Sequence, residues 1–180
     1  SDNIHTLHIE GLEHIYSSKG DNKTDKDINI YKIIQTGLLL KNMLESSIAL
    51  ISLCMSKHND MSDIMLGEMF SRLECDIRLE SLNISHNYNI TEKGWHYIKK
   101  LLLSDFCKIE NLDVSYCNIF NGQGIELDPV VPEGENKVIF MNSINIAHNL
   151  REYVYCDKHV QDFADFLRNF KVQDLDLSFN

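Results

Sequence analysis

Apolar residues in this chain return in one fixed phrase. Residues 79–87 read LESLNISHN, 109–117 IENLDVSYC, 141–149 MNSINIAHN and 172–180 VQDLDLSFN, with looser copies at 50–58, LISLCMSKH, and 4–12, IHTLHIEGL. Around the central aliphatic of each copy, apolar and polar letters alternate, which is the period-two pattern of a strand with one buried face. Taking that aliphatic as an anchor gives Leu7, Leu53, Leu82, Leu112, Ile144 and Leu175, separated by 46, 29, 30, 32 and 31 residues. So regular a period marks a stack of units, each burying its apolar face against its neighbours.

Between the strands the period changes to that of a helix. From Ile28 onward, Ile30, Ile33, Ile34, Leu38 and Met43 or Leu44 fall on one stripe, and Met65, Met69, Phe70 and Leu73 on a second. Trp95, Ile98, Leu101 and Leu102 form a third, and Val160, Phe163, Phe166 or Leu167 and Phe170 a fourth. Ser62 or Asp60 is the start signal of the second helix, because a side-chain oxygen there accepts from the opening N–H groups; Thr91 followed by Glu92 starts the third. Two stretches break the rhythm. Residues 17–27 carry no apolar side chain and are predicted as a solvated loop. Residues 121–136 hold three glycines with Pro129 and Pro132, which excludes a long helix and predicts a turn near 124–127 and then an acidic loop.

The phrase L-x-x-L-x-L-x-x-N/C resembles the leucine-rich repeat, and the steps of 29 to 32 residues resemble its ribonuclease-inhibitor-like, helix-containing branch. The resemblance implies an α/β fold: a right-handed β-α superhelical solenoid with a parallel sheet on the concave face and helices on the convex face. Residues 1–180 would form a single domain of about six repeats. The sixth copy has no polar capping unit after it, so the chain reads as a segment of a longer protein. Asn87, Asn149 and Asn180, with Cys117 in the same place, are expected to bond backbone groups as the chain turns out of the strand; Leu12 and His58 depart from the pattern.

Strand alternation directs three columns away from the core. They are Thr6, Ser52, Ser81, Asn111, Ser143 and Asp174; then His8, Cys54, Asn83, Asp113, Asn145 and Asp176; then Glu10, Ser56, Ser85, Ser115, Ala147 and Ser178. This face is small, polar and weakly acidic, with few of the Trp, Tyr and Arg anchors that dominate binding energy. The candidate partner-binding residues are therefore His8, Asn83, Asp113, Asn145 and Asp176 on the face, with His86, Tyr88 and Tyr116 at the strand exits.

Bulk properties narrow the function. A formal charge of -10 argues against nucleic acid, whose phosphates need clustered Lys and Arg. No apolar run is long enough to span a membrane. Five cysteines, an odd number without framework spacing, point to a reducing, cytoplasmic setting, or to delivery into a host cell were this a bacterial effector. Cys156-x-x-His159 is half a zinc site without a second half, and Cys117 with His86 or His148 is a thiol pair better explained by the turn ladder. No glycine-rich phosphate loop and no singled-out carboxylate pair is present. No cofactor, metal or catalytic residue is thus expected. The reading is a monomeric, non-catalytic scaffold that binds another protein. The alternative is a substrate-recognition or regulatory segment of a larger enzyme or effector, since related repeats occur in ubiquitin-ligase receptors, GTPase regulators and bacterial effectors.

Overall fold

The computed structural model describes residues 5–9, 23–47, 49–58, 60–71, 76–105, 107–120, 138–149, 161 and 164–178. Their order is β1 (Thr6–His8), α1 (Lys23–Ser46), β2 (Ser52–Cys54), α2 (Asp63–Phe70), β3 (Ser81–Asn83), α3 (Glu92–Leu103), β4 (Asn111–Asp113), β5 (Ile139–Asn145) and β6 (Phe170–Asp176). The six strands form one parallel sheet in chain order. Leu7 pairs with Leu53, Leu53 with Leu82, Leu82 with Leu112, Leu112 with Ile144 and Ile144 with Leu175. The register holds because a slip of one residue would turn Leu53, Leu82, Leu112 and Ile144 out of the core; at the edges Leu7 is half-buried and Leu175 is exposed.

Leu53, Leu82, Leu112 and Ile144 are buried in one cluster with Met65, Leu66 and Met69 of α2 and Ile98, Leu101 and Leu102 of α3. Successive helices pack side by side, α1 on α2 and α2 on α3, so the sheet's anchor face is the one they cover. The chain is an α/β protein built on a six-stranded parallel sheet. Among the described residues, no helix is long and apolar enough to cross a membrane.

Several expectations need correction. The stretch 17–27 is not all loop, because α1 begins at Lys23. The polar run 23–27 contains no Gly or Pro, and a run without apolar residues is solvated rather than barred from helix. On α1 the expected stripe holds at Leu44, which is buried, and at Ile33 and Met43, half-buried against the core; Ile30 and Leu38 are exposed, and Gly37 and Leu40 are buried in their place. For Ile30 the cause is length: the 24 residues of α1 run about 36 Å, whereas the 8 residues of its neighbour α2 run about 12 Å; Leu38 instead lies on a different side of the helix from the buried Gly37, Leu40 and Leu44. Only the C-terminal half of α1 meets α2, where a side chain at Gly37 would lie 2.8 Å from the Glu68 Cβ. Phe170 is buried as expected, but as the first residue of β6 rather than on a helix, which ends at residue 167.

The second and third helices follow the sequence closely. Met65, Met69 and Phe70 are buried on α2, with Leu66 beside them, and Trp95, Ile98, Leu101 and Leu102 are buried on α3. Thr91 caps α3 as expected, its Oγ accepting from the Lys93 N–H at 3.3 Å. Ser62 holds the corresponding position on α2 but makes no capping bond with its side chain. The carboxylate of Asp63, one residue on, reaches into the next unit: Oδ1 accepts from the N–H groups of Thr91 at 2.8 Å and Gly94 at 2.9 Å, and Oδ2 from the Thr91 hydroxyl at 2.6 Å. Leu73, Val160, Phe163, the Gly/Pro stretch 121–136, Cys75 and the Cys156/His159 pair lie outside the described residues.

Candidate functional site

The register brings the predicted second column together as one row. His8 pairs with Cys54, Cys54 with Asn83, Asn83 with Asp113, Asp113 with Asn145 and Asn145 with Asp176. Its members also have a structural task. The Ser85 N–H donates to Asn83 Oδ1 at 3.0 Å, Ser115 N–H to Asp113 Oδ1 at 2.9 Å, Ala147 N–H to Asn145 Oδ1 at 3.1 Å and Ser178 N–H to Asp176 Oδ1 at 2.9 Å. A short polar side chain accepting from the backbone two residues on is the bond that starts a turn. For Asp176 it also holds the carboxyl below its usual range, with the Ser178 N–H as the main cause. Two neighbours of the row also bond each other: Asn83 Nδ2 donates to Asp113 Oδ2 at 3.5 Å.

Most of the third column does not belong to this surface, although Ser178 is exposed as expected and Glu10 lies outside the described residues. Ser56, Ser85, Ser115 and Ala147 are buried, against the expectation that they face outward. Alternation fails there because the strand has ended and the chain is already turning. The next residues, Lys57, His86, Tyr116 and His148, have φ of 54°, 60°, 55° and 58°. A residue in this left-handed region costs about 1–2 kcal/mol when it is not glycine, so the turns need compensating bonds.

The residue that follows supplies them. Asn87 Nδ2 donates to the carbonyls of Met55 at 2.8 Å and Ile84 at 2.7 Å, while its Oδ1 accepts from the His58 N–H at 2.7 Å. Asn149 Nδ2 donates to Val114 O at 3.0 Å and Ile146 O at 2.7 Å, and its Oδ1 accepts from the Ile119 N–H at 3.4 Å. Cys117 makes the weaker version, its Sγ donating to Ile84 O at 3.5 Å. Burial pushes the Cys117 thiol up to about 12, so a thiolate nucleophile does not form there at neutral pH. Asn180 lies outside the described residues.

The left-handed turns set a row of side chains along the exit rim. The His86 ring stacks on Tyr116 at 4.3 Å between centroids and 8° between planes; Tyr116 stacks on His148 at 4.2 Å and 14°. Tyr88 stands beside them, 46% exposed. His86, Tyr88 and Tyr116, predicted separately, thus form one rim continuous with the row from His8 to Asp176. His148 and Lys57 belong to it and were not among the candidate residues. The signal was available, because both stand at the offset of His86 and Tyr116, four residues past their anchors.

The second unit differs. His58 is buried in the place of Asn or Cys, and its Nδ1 has no hydrogen-bond partner among the described residues. Burial lowers its pKa from the ordinary 6.5, against the opposing effect of the Asp60 carboxylate. It lines a depression of about 370 Å³ with Lys57, His86, Asn87, Tyr88 and Asn89. A larger cleft of about 780 Å³ lies at the other end of the strands, where Arg78, Glu80, Lys108 and Glu110 surround Ile51 and Phe140. Among the described residues, no group of three or more His, Cys, Asp or Glu is placed to hold a metal ion. No protein-family model matches the chain, and neither the curated proteins nor the solved structures contain a match to it.

Proposed function

We propose that this chain is a non-catalytic protein-interaction module of leucine-rich units, of the ribonuclease-inhibitor-like kind, and that its strands line the concave side of a right-handed solenoid with the helices outside. Its partner is another protein, met at the row His8, Asn83, Asp113, Asn145 and Asp176 and at the rim His86, Tyr88 and Tyr116. It acts as a monomer in the cytoplasm. Cys54, Cys107 and Cys117 are in no disulfide, in keeping with a reducing compartment.

One observation carries this reading: a polar row across six strands runs into a rim of stacked, solvent-touching rings, all held by backbone bonds of fixed register. Pre-set side chains lose little conformational freedom on docking, and aromatic rings are the usual centres of binding energy. The small side chains of the row allow a partner to approach the backbone closely.

The test is site-specific photo-crosslinking in the cells that make the protein. A photoreactive phenylalanine analogue at Tyr88, on the rim, is expected to capture a protein partner. The same group at Lys100, exposed on α3 on the opposite side of the sheet, is expected to capture none. Capture from Lys100 alone, or from neither position, defeats the proposal.

A further inference from the structure

The rim column has a gap in it. Lys57, His86, Tyr116 and His148 share one backbone conformation, with φ from 54° to 60°, so their side chains leave successive turns in the same direction. Three are rings, and they stack at 4.3 and 4.2 Å. The fourth is a flexible, exposed amine. Among the described residues the stack ends at His86, which has Tyr116 as its one stacking neighbour. Beyond it lies the depression of about 370 Å³ between Lys57 and Tyr88. Neighbouring strands stand about 4.8 Å apart, which is enough for one more ring in register once the Lys57 side chain swings outward.

His58 forms part of the wall of this depression and is 3% exposed, with no partner for Nδ1. Its lowered pKa favours the neutral imidazole, which in the tautomer protonated at Nε2 leaves Nδ1 as an acceptor. The site therefore offers a ring face on one side, a hydrogen-bond acceptor behind it and a movable cation at its mouth.

We propose that the gap between Lys57 and His86 takes a tyrosine or tryptophan side chain of the protein partner, which extends the ring column by stacking on His86 and turns its O–H or N–H toward His58. This rests on the reading of the chain as a protein-binding module. An aliphatic side chain would forgo the stacking, and phenylalanine would forgo the hydrogen bond. The formal charge of -10 disfavours a base carried on a polyanion.

The experiment follows the imidazole resonances of His86 and His58 by NMR while N-acetyl-tryptophanamide or N-acetyl-tyrosinamide is added, with N-acetyl-leucinamide and adenosine in parallel. Both aromatic amides are expected to move the His86 ring protons upfield and to perturb His58, saturating in the millimolar range; the leucine amide is expected to do neither. His86→Ala should weaken the aromatic amides about fivefold, the worth of one stacked pair, read at His58. Lys57→Tyr should fill the gap from within and abolish the shifts. The backbone there accepts tyrosine, since Tyr116 has φ 55° where Lys57 has 54°. Lys57→Ala leaves the gap open and should keep the binding. The proposal is overturned if neither aromatic amide moves His86, if Lys57→Tyr binds as the parent does, or if adenosine binds while the amides are silent. Crosslinking from Tyr88 is independent of all three outcomes, so the general interaction reading stands or falls separately.

Discussion

The turns after β2 and after β3 follow the same backbone path with different side chains. Lys57 has φ 54° and His86 has φ 60°. After β3 the turn is tied by its own unit, because Asn87 bonds both the local Ile84 carbonyl and Met55 in the preceding unit. After β2 the His58 Nδ1 has no partner, and the turn is held from outside through the bond from His58 N–H to Asn87 Oδ1. The comparison teaches that turn shape here is templated: a unit with the wrong residue keeps the shape because its neighbour has the right one.

The sharpest way to break this comparison is to remove the template. Asn87→Ala leaves the Met55 carbonyl and the His58 N–H without their partner and the Ile84 carbonyl with the Cys117 thiol alone, and should cost about 3 kcal/mol, read from the urea unfolding midpoint. Its reach is part of the prediction: amide exchange should quicken at residue 58 as well as at 87, and protection unchanged at 58 would show that the first turn stands by itself. Cys117→Ala should cost less, about 1 kcal/mol, since a thiol bonds weakly and what remains is the loss of a small buried group.

Next in size is an effect of pH. The pKa of His58 is lower in the folded state than the ordinary 6.5, so the unfolded chain takes up its proton first. The contribution of His58 is full above about pH 6.5 and is lost as the pH falls through the folded value. His58→Asn should flatten that limb of a stability-against-pH curve, and a curve unchanged by the substitution would assign the acid loss elsewhere. The smallest effect is expected at the face. Asp113→Asn retains an oxygen for the Ser115 N–H and should change stability by less than about 0.5 kcal/mol. Loss of partner binding in the Asn variant would therefore report charge alone.

The sheet order, its register and the buried stripes of α2 and α3 could be read from the chain because each rests on a repeated apolar spacing. Leu82 and Leu112 are thirty residues apart and meet as a pair. What could not be read depended on which neighbour an element has. Ile30 fits a helical stripe, yet nothing in its spacing says that α2 is too short to reach it. The outward set failed at Ser56, Ser85 and Ser115 for a different reason: period two holds within a strand and stops where the left-handed turn begins. In the sequence His148 reads only as a partner for Cys117, because a histidine in isolation carries no sign of stacking; the shared offset from the anchor places it on Tyr116.

Asp63 grips the residues that open the following helix, Thr91 and Gly94, and Asn87 reaches back to Met55; each tie spans a single step of the stack. A molecule joined in this way should give under tension in instalments, peeling from an outer strand inward, with each detached strand leaving the next interface whole.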